Sequence, residues 1–185
     1  APLVYTLVGY CYNTPTMIKM TAYTQRRKAF LKQIRGSVAI FPAAIEVVRN
    51  HDVFHPFRQD STFHYLTGFP EPYATCVLAP EEKTPFLLFV TPNNPTTELW
   101  TGKRIGIEEA AKHYGADRAY PTSDFGQILP TLLRKADRLY YTLGKWQEFD
   151  ERIMQLLKTY QRGRGRSGEG RLGEQQIGFG TASRS

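Results

Sequence analysis

An α/β fold, a mixed sheet flanked by helices, is what this sequence predicts. Three observations carry the expectation. Short apolar runs bounded by Pro, Gly and turn clusters read as buried strands. Segments with a 3.6-residue apolar period alternate with those runs and read as helices. A length of 185 residues with 41% hydrophobic and 22% charged side chains suits one globular domain.

Taken in order, Thr21 or Thr24 is placed to cap a helix in which Phe30, Leu31 and Ile34 share a face, and Gly36 ends it. SVAIF (37–41) is a short buried strand stopped by Pro42. Ala74–Ala79 and Pro85–Thr91 are two more strands, separated by the turn-like PEEKT. Ile107–Tyr114 reads as a helix closed by Gly115, with Glu108 and Glu109 favouring its first turn through the helix dipole. Thr122 or Ser123 is placed to cap another helix, which Pro130 is expected to interrupt. RLYYTL (138–143) is strand-like again. In the last helix Trp146, Phe149, Ile153, Leu156, Leu157 and Tyr160 fall on one stripe.

The flanks read differently. Residues 1–20 are an extension of doubtful status, because Met20 opens MTAYTQRRKAFLKQI as a natural N-terminus would; an added edge strand is the alternative. Residues 161–185 hold seven Gly in 25 positions and few large apolar side chains, so they are expected to be disordered. The folded domain is therefore expected over 21–160.

Of the formal charge of +7, +3 sits in that short tail, where five Arg face two Glu, and the other 160 residues carry only +4. Net charge therefore does not call for a nucleic-acid partner. RGRGR (162–166) offers phosphate contacts, but it is short and no aromatic is interleaved with it, so a solvated tail is the reading preferred over a nucleic-acid element. Two cysteines, Cys11 and Cys76, are too few for a disulfide scaffold, and the expected setting is cytoplasmic. Cys76 sits in an apolar strand, where a buried inert thiol is expected. No run approaches the ~20 apolar residues of a membrane span, and the first ten residues lack the positive flank of a signal peptide. Gly102 and Gly106 are not followed by the Lys-Ser/Thr of a phosphate loop.

The densest chemistry lies between Arg49 and Phe69. His51, His55 and His64 stand there with Asp52 and Asp60, and a metal site is one reading. His51 and His55 have i, i+4 spacing, but Pro56 disfavours the helix that this geometry needs. The alternative is a hydrogen-bonded turn segment in which Arg58 and Asp60 pair or cap backbone while Phe63, Tyr65 and Leu66 enter the core.

The pattern RN-x-D-x-x-x-P-x-RQDS-x-F-x-YLTGF-x-EP, from Arg49 to Pro72, closely resembles the N-terminal domain of aminopeptidase P, the Xaa-Pro aminopeptidases. QRRKAFLKQI, SVAIFPAAIEVVRN and ELWTGKRIGIEEAAKHYGADRAY resemble its flanking segments in order, so the resemblance covers roughly 21–160. It implies an α/β unit with a mixed sheet and a structural role for the signature residues Arg49, Asn50, Asp52, Arg58, Gln59, Asp60, Ser61, Tyr65 and Gly68. It further implies that catalysis belongs to a separate C-terminal "pita-bread" domain. There two divalent metals, commonly manganese, held by Asp, His and Glu, activate water to cleave the bond before proline. After Tyr160 this sequence offers only Glu169 and Glu174 and no histidine. The chain is therefore expected to hold no metal and to be inactive alone, as the truncated N-terminal part of such a hydrolase.

By the same resemblance Trp100, with Arg104 nearby, lies on the surface that approaches an active site, in some members that of a neighbouring subunit. Closing the core is the alternative for Trp100. The expected partners are the absent catalytic domain or homologous subunits in a homo-oligomer, with neither membrane nor nucleic acid. A free-standing peptide- or RNA-binding module, and a small metallohydrolase built on His51–His64, are the rival readings.

Overall fold

The computed structural model describes residues 20–50, 53–94, 102 and 104–166. Its sheet is built on two runs with no polar alternation. β1 (Ser37–Pro42), β4 (Thr75–Leu78) and β5 (Phe86–Val90) lie at the centre, and every residue of β4 and β5 is buried. Continuous apolar strands are the mark of a sheet covered on both faces. The order is β6-β5-β4-β1-β7, with β6 at Arg118–Pro121 and β7 at Arg138–Tyr141. β4 runs antiparallel to β1 (Ala39 opposite Leu78) and to β5 (Cys76 opposite Leu88). The outer pairs are parallel, with Val38 opposite Leu139 and Leu88 opposite Ala119. Four strands thus share one direction and β4 alone opposes them.

The period of two along each strand divides the core. Ala39, Cys76, Leu78, Phe86, Leu88 and Val90 face α1 (Met20–Gln33), α2 (Ser61–Thr67) and α3 (Gly106–Tyr114). Val38, Ile40, Val77, Leu87 and Phe89 face α4 (Phe125–Leu133) and α5 (Gln147–Arg166). α5 contributes five of the six residues of the expected stripe, with Ile153 buried and Phe149, Leu156, Leu157 and Tyr160 packed beside it, while Trp146 precedes the helix and is not part of that core cluster. No described helix is long and apolar enough to cross a membrane.

Several expectations need correction. Thr21 and Thr24 lie inside α1, and Thr24 Oγ1 donates to Met20 O at 3.1 Å, so neither acts as its cap. Pro130 sits within α4 and does not interrupt it. Burial of Phe125, Leu129, Leu132 and Leu133 on the sheet offsets the backbone bond that proline cannot make. Thr122 and Ser123 belong to a 3-10 turn (Thr122–Asp124) that precedes α4 and makes no side-chain cap. α5 continues past Tyr160 to Arg166, through Gly163 and Gly165, because extending a helix already formed costs far less than nucleating one. Residues 167–185 and 1–19, with Cys11, lie outside the described residues.

The segment read as a turn holds more structure than that. A short antiparallel hairpin, β2 (Val48–Asn50) with β3 (Val53–Phe54), precedes the two-turn helix α2. The position of α2 on α1 is set by a buried cation. Arg27, 4% exposed, donates to Leu66 O at 2.8 Å, Thr24 Oγ1 at 3.2 Å and Gly115 O at 3.4 Å, and lies over the Phe86 ring. A buried guanidinium persists only with its donors used; here burial lowers its pKa, while Cys76 and Asp117 oppose the shift.

Candidate functional site

The Arg49–Pro72 signature divides into residues that turn inward and residues that turn out. Inward, Asp60 caps α2 by accepting from Phe63 N at 2.8 Å and forms an ion pair with Lys145, from the β7–α5 connection. Lys145 takes the place that the sequence had offered to Arg58, which is exposed. Ser61 opens the helix and Gly68 ends it in the left-handed conformation, φ 67°. A Cβ on Gly68 would lie 2.7 Å from the Tyr23 ring, so both the backbone and the packing require glycine there.

Gln59 is the hub. Its Oε1 accepts from Ala44 N and Asp60 N, both at 2.8 Å; its Nε2 donates to Glu71 O at 2.9 Å and Phe69 O at 3.3 Å. Glu71 carries the chain of bonds further. It is 2% exposed, its Oε1 accepts from Ile105 N at 2.7 Å, and its Oε2 has no hydrogen-bond partner among the described residues. Burial pushes its carboxyl above the usual range, against the opposing effects of the Ile105 N–H and the Arg104 charge. Ala44 follows β1, Ile105 ends the β5–α3 connection and Lys145 follows β7. The network therefore ties together the connections that leave the carboxyl ends of three co-directional strands.

Outward, Arg49 and Asn50 stand on the hairpin, whose strands are exposed throughout: Val53 is 57% and Phe54 46% exposed, and Val47, Val48 and Ile45 extend the same apolar surface. Tyr65 does not enter the core with Phe63 and Leu66. It occupies the opposite side of α2, 53% exposed, with the Arg26 guanidinium 4.2 Å from its ring centre. A cleft of roughly 800 Å³ opens at the carboxyl ends of β1 and β5, lined by Tyr73, Thr75, Phe89, Phe125, Trp146 and Arg152 among others. Crevices at the carboxyl ends of strands are where α/β folds place their sites. Trp146 Nε1 is buried there with no acceptor among the described residues.

Other candidates fall differently. His55 is exposed after β3 and His64 meets the Tyr23 ring edge-on; His51 and Asp52 lie outside the described residues. Among the described residues no three His, Cys, Asp or Glu side chains come together as a metal site would require. The donor set for two manganese ions that the resemblance implies for a whole enzyme is thus not met by these residues, and Glu169 and Glu174 lie outside them. Cys76 is fully buried, and desolvation drives its thiol well above the ordinary range despite the Arg27 charge, which leaves it no nucleophile. Trp100 lies outside the described residues, whereas Arg104 is half-buried immediately before α3. Sequence reasoning singled out neither Glu71 nor Arg27. Glu71 stood in the signature as the acid of its closing EP, without a role assigned to it.

Comparison with known proteins decides the family. Residues 23–140 match the family described as aminopeptidase P, N-terminal domain. The chain belongs to the aminopeptidase P family. Xaa-Pro aminopeptidase of Escherichia coli is 36% identical over 149 residues, which are 79% of this chain and 34% of that protein. That of Haemophilus influenzae is 36% identical over 118 residues, 63% of this chain and 27% of the relative. The solved structure of Pseudomonas aeruginosa aminopeptidase PepP superposes with a TM-score of 0.76 at 44% identity, covering 82% of this chain and 34% of the other. The mixed sheet flanked by helices is thus the aminopeptidase P N-terminal fold, and the chain spans about a third of the length of its relatives.

Proposed function

We propose that this chain is the accessory, non-hydrolytic N-terminal domain of a Xaa-Pro aminopeptidase-like protein. Its task is to dock through the carboxyl-end rim of its sheet, against a metal-bearing catalytic domain or a homologous subunit, and to shape the entrance through which a peptide reaches that domain. The parent would release residues preceding proline with two manganese ions, in the cytoplasm; a buried free thiol at Cys76 is compatible with that compartment.

The observation that carries this reading is the hairpin. A two-stranded ribbon is marginal in water by itself, and β2–β3 exposes apolar side chains on both of its strands. Such a patch beside polar signature residues is the composition of a docking surface. Arg49 and Asn50 on the ribbon, and Arg104 at the start of α3, then stand at its polar edge, and Trp100 in the same connection as Arg104 is assigned to the entrance.

The test is a chimera in which this chain replaces the matching third of E. coli Xaa-Pro aminopeptidase. The expected result is a folded protein that cleaves Xaa-Pro peptides and loses most of its turnover when Val53 and Phe54 are both changed to Ser. Full turnover in the double variant, with the subunit assembly unchanged, would remove the hairpin from the interface.

A further inference from the structure

The cleft at the carboxyl ends of β1 and β5 holds a cation that the domain itself does not answer. Two basic side chains line it, Lys145 and Arg152. Lys145 is committed to the buried carboxylate of Asp60. Arg152, half-buried on α5, forms an ion pair with no carboxylate among the described residues. Its guanidinium is nevertheless fixed in place. Nη2 donates to Thr122 O at 3.2 Å, in the turn before α4, and the group lies over the Phe125 ring, 5.1 Å from its centre. A backbone acceptor and an aromatic face thus hold the plane of the fork while most of its N–H donors stay available. A side chain already ordered loses little further freedom when an anion arrives, and the planar fork suits a carboxylate.

The surroundings of the fork narrow the ligand. Phe89 and Phe125, 0% and 1% exposed, form the floor of the cleft, and Phe149 and Trp146 add apolar wall. Trp146 also buries its Nε1–H without an acceptor among the described residues, a donor that a ligand oxygen would satisfy after a small turn of the ring. A volume of roughly 800 Å³ lies within the range of sites that enclose a small ligand. On the rim Glu148 and Glu151 are exposed, and Glu151 accepts from Gln147 at 3.1 Å. Two carboxylates beside one unpaired cation repel a doubly charged phosphate. They complement a ligand that carries one carboxylate and one ammonium.

We infer that this cleft binds a short zwitterionic peptide. The C-terminal carboxylate lies on the Arg152 fork, the terminal apolar side chain against Phe125 and Trp146, and the ammonium end toward Glu148 and Glu151. The binding does not rest on the docking reading above; only its use, to hold a peptide at the entrance of a catalytic domain, does. It is therefore measured in this chain by itself.

The probe is the tripeptide Ala-Ala-Phe, titrated calorimetrically into the purified chain as the free acid and as the C-terminal amide. Saturable binding of the acid is expected, with the amide weaker by about tenfold or more, the equivalent of a lost charge-assisted hydrogen bond. Phenylpropionate has the ring and the carboxylate without the ammonium, and is expected to bind more weakly than the acid peptide. Arg152→Gln keeps a donor for Thr122 O but no charge, and is expected to bind acid and amide alike. The indole N–H resonance that Trp146→Phe removes is expected to shift when the acid is added to the unaltered chain.

Equal affinity for acid and amide, or no saturable binding of either, would overturn the inference, and that comparison needs no variant should Arg152→Gln fail to fold. An indole resonance of Trp146 that stays in place while the acid binds would overturn it too, because the peptide would then sit elsewhere. Phenylpropionate binding as tightly as the tripeptide would overturn the assignment to a peptide. A chimera that fails while the isolated chain binds the acid as expected would count against docking and leave this site standing.

Discussion

The inward and outward halves of one 24-residue signature, Arg49 to Pro72, obey different physics. Gln59, Asp60, Gly68 and Glu71 are committed to backbone groups of the domain itself: Ala44 N, Phe63 N, the left-handed end of α2 and Ile105 N. Arg49, Asn50, Arg58 and Tyr65, with the apolar ribbon of Val47, Val48, Val53 and Phe54, point to solvent. The first set explains why the rim has a fixed shape. The second is surface that the domain's own stability does not need. A motif of this length thus states both how a rim is built and what it shows to a partner.

Substitutions sharpen that contrast, and the inward ones come first. Gln59→Leu leaves Ala44 N and Asp60 N without their acceptor. A loss of about 4 kcal/mol is expected at roughly 1–3 kcal/mol for each stranded buried group; urea denaturation measures it through the midpoint. Gly68→Ala forces a left-handed alanine against the Tyr23 ring, and about 2–4 kcal/mol is expected from strain and crowding together. Asp60→Ala removes the α2 cap and the Lys145 partner for about 1–2 kcal/mol, since the Lys145 side chain is 44% exposed and can be solvated once the pair is lost. Outward changes such as Val53→Ser with Phe54→Ser are expected to move stability by less than about 0.5 kcal/mol. If the outward pair unfolded the domain and Gln59→Leu did not, the division would be wrong.

The pH response is a finer test of the same contrast. Burial raises the Glu71 carboxyl above 4.5, so the folded state binds its proton more tightly than the unfolded chain does. Its contribution to stability is complete below pH 4.5 and is lost as pH rises through the folded value. Glu71→Gln deletes that term. The variant's stability relative to the parent is therefore expected to improve from pH 4 to pH 7, which paired thermal melts at the two pH values detect. An unchanged difference would mean that the carboxyl is not raised.

Legibility in the sequence followed the range of the interactions. The central strands stood out because SVAIF, Ala74–Ala79 and Pro85–Thr91 are unbroken apolar runs, and α5 because six apolar residues keep one period. The Gly36 and Gly115 stops were local signals too, whereas α2, only seven residues long, was not read as a helix although Asp60 caps it and Gly68 ends it. β2–β3 and β6 escaped notice: the hairpin buries nothing, and β6 holds only four residues, one of them proline. Arg27 and Glu71 act on groups 39 and 34 residues away, a distance at which no local pattern speaks. The site was legible as a family signature, whereas the allocation of its residues to core or rim needed the fold.

Hydrolysis of a Xaa-Pro dipeptide by the purified chain, with manganese added, tests the central claim most directly. An accessory domain gives no turnover above the buffer blank, and none after Gln59→Leu. Metal-dependent turnover that survives rigorous purification and falls with His51→Ala would contradict the account and place a catalytic site within this chain.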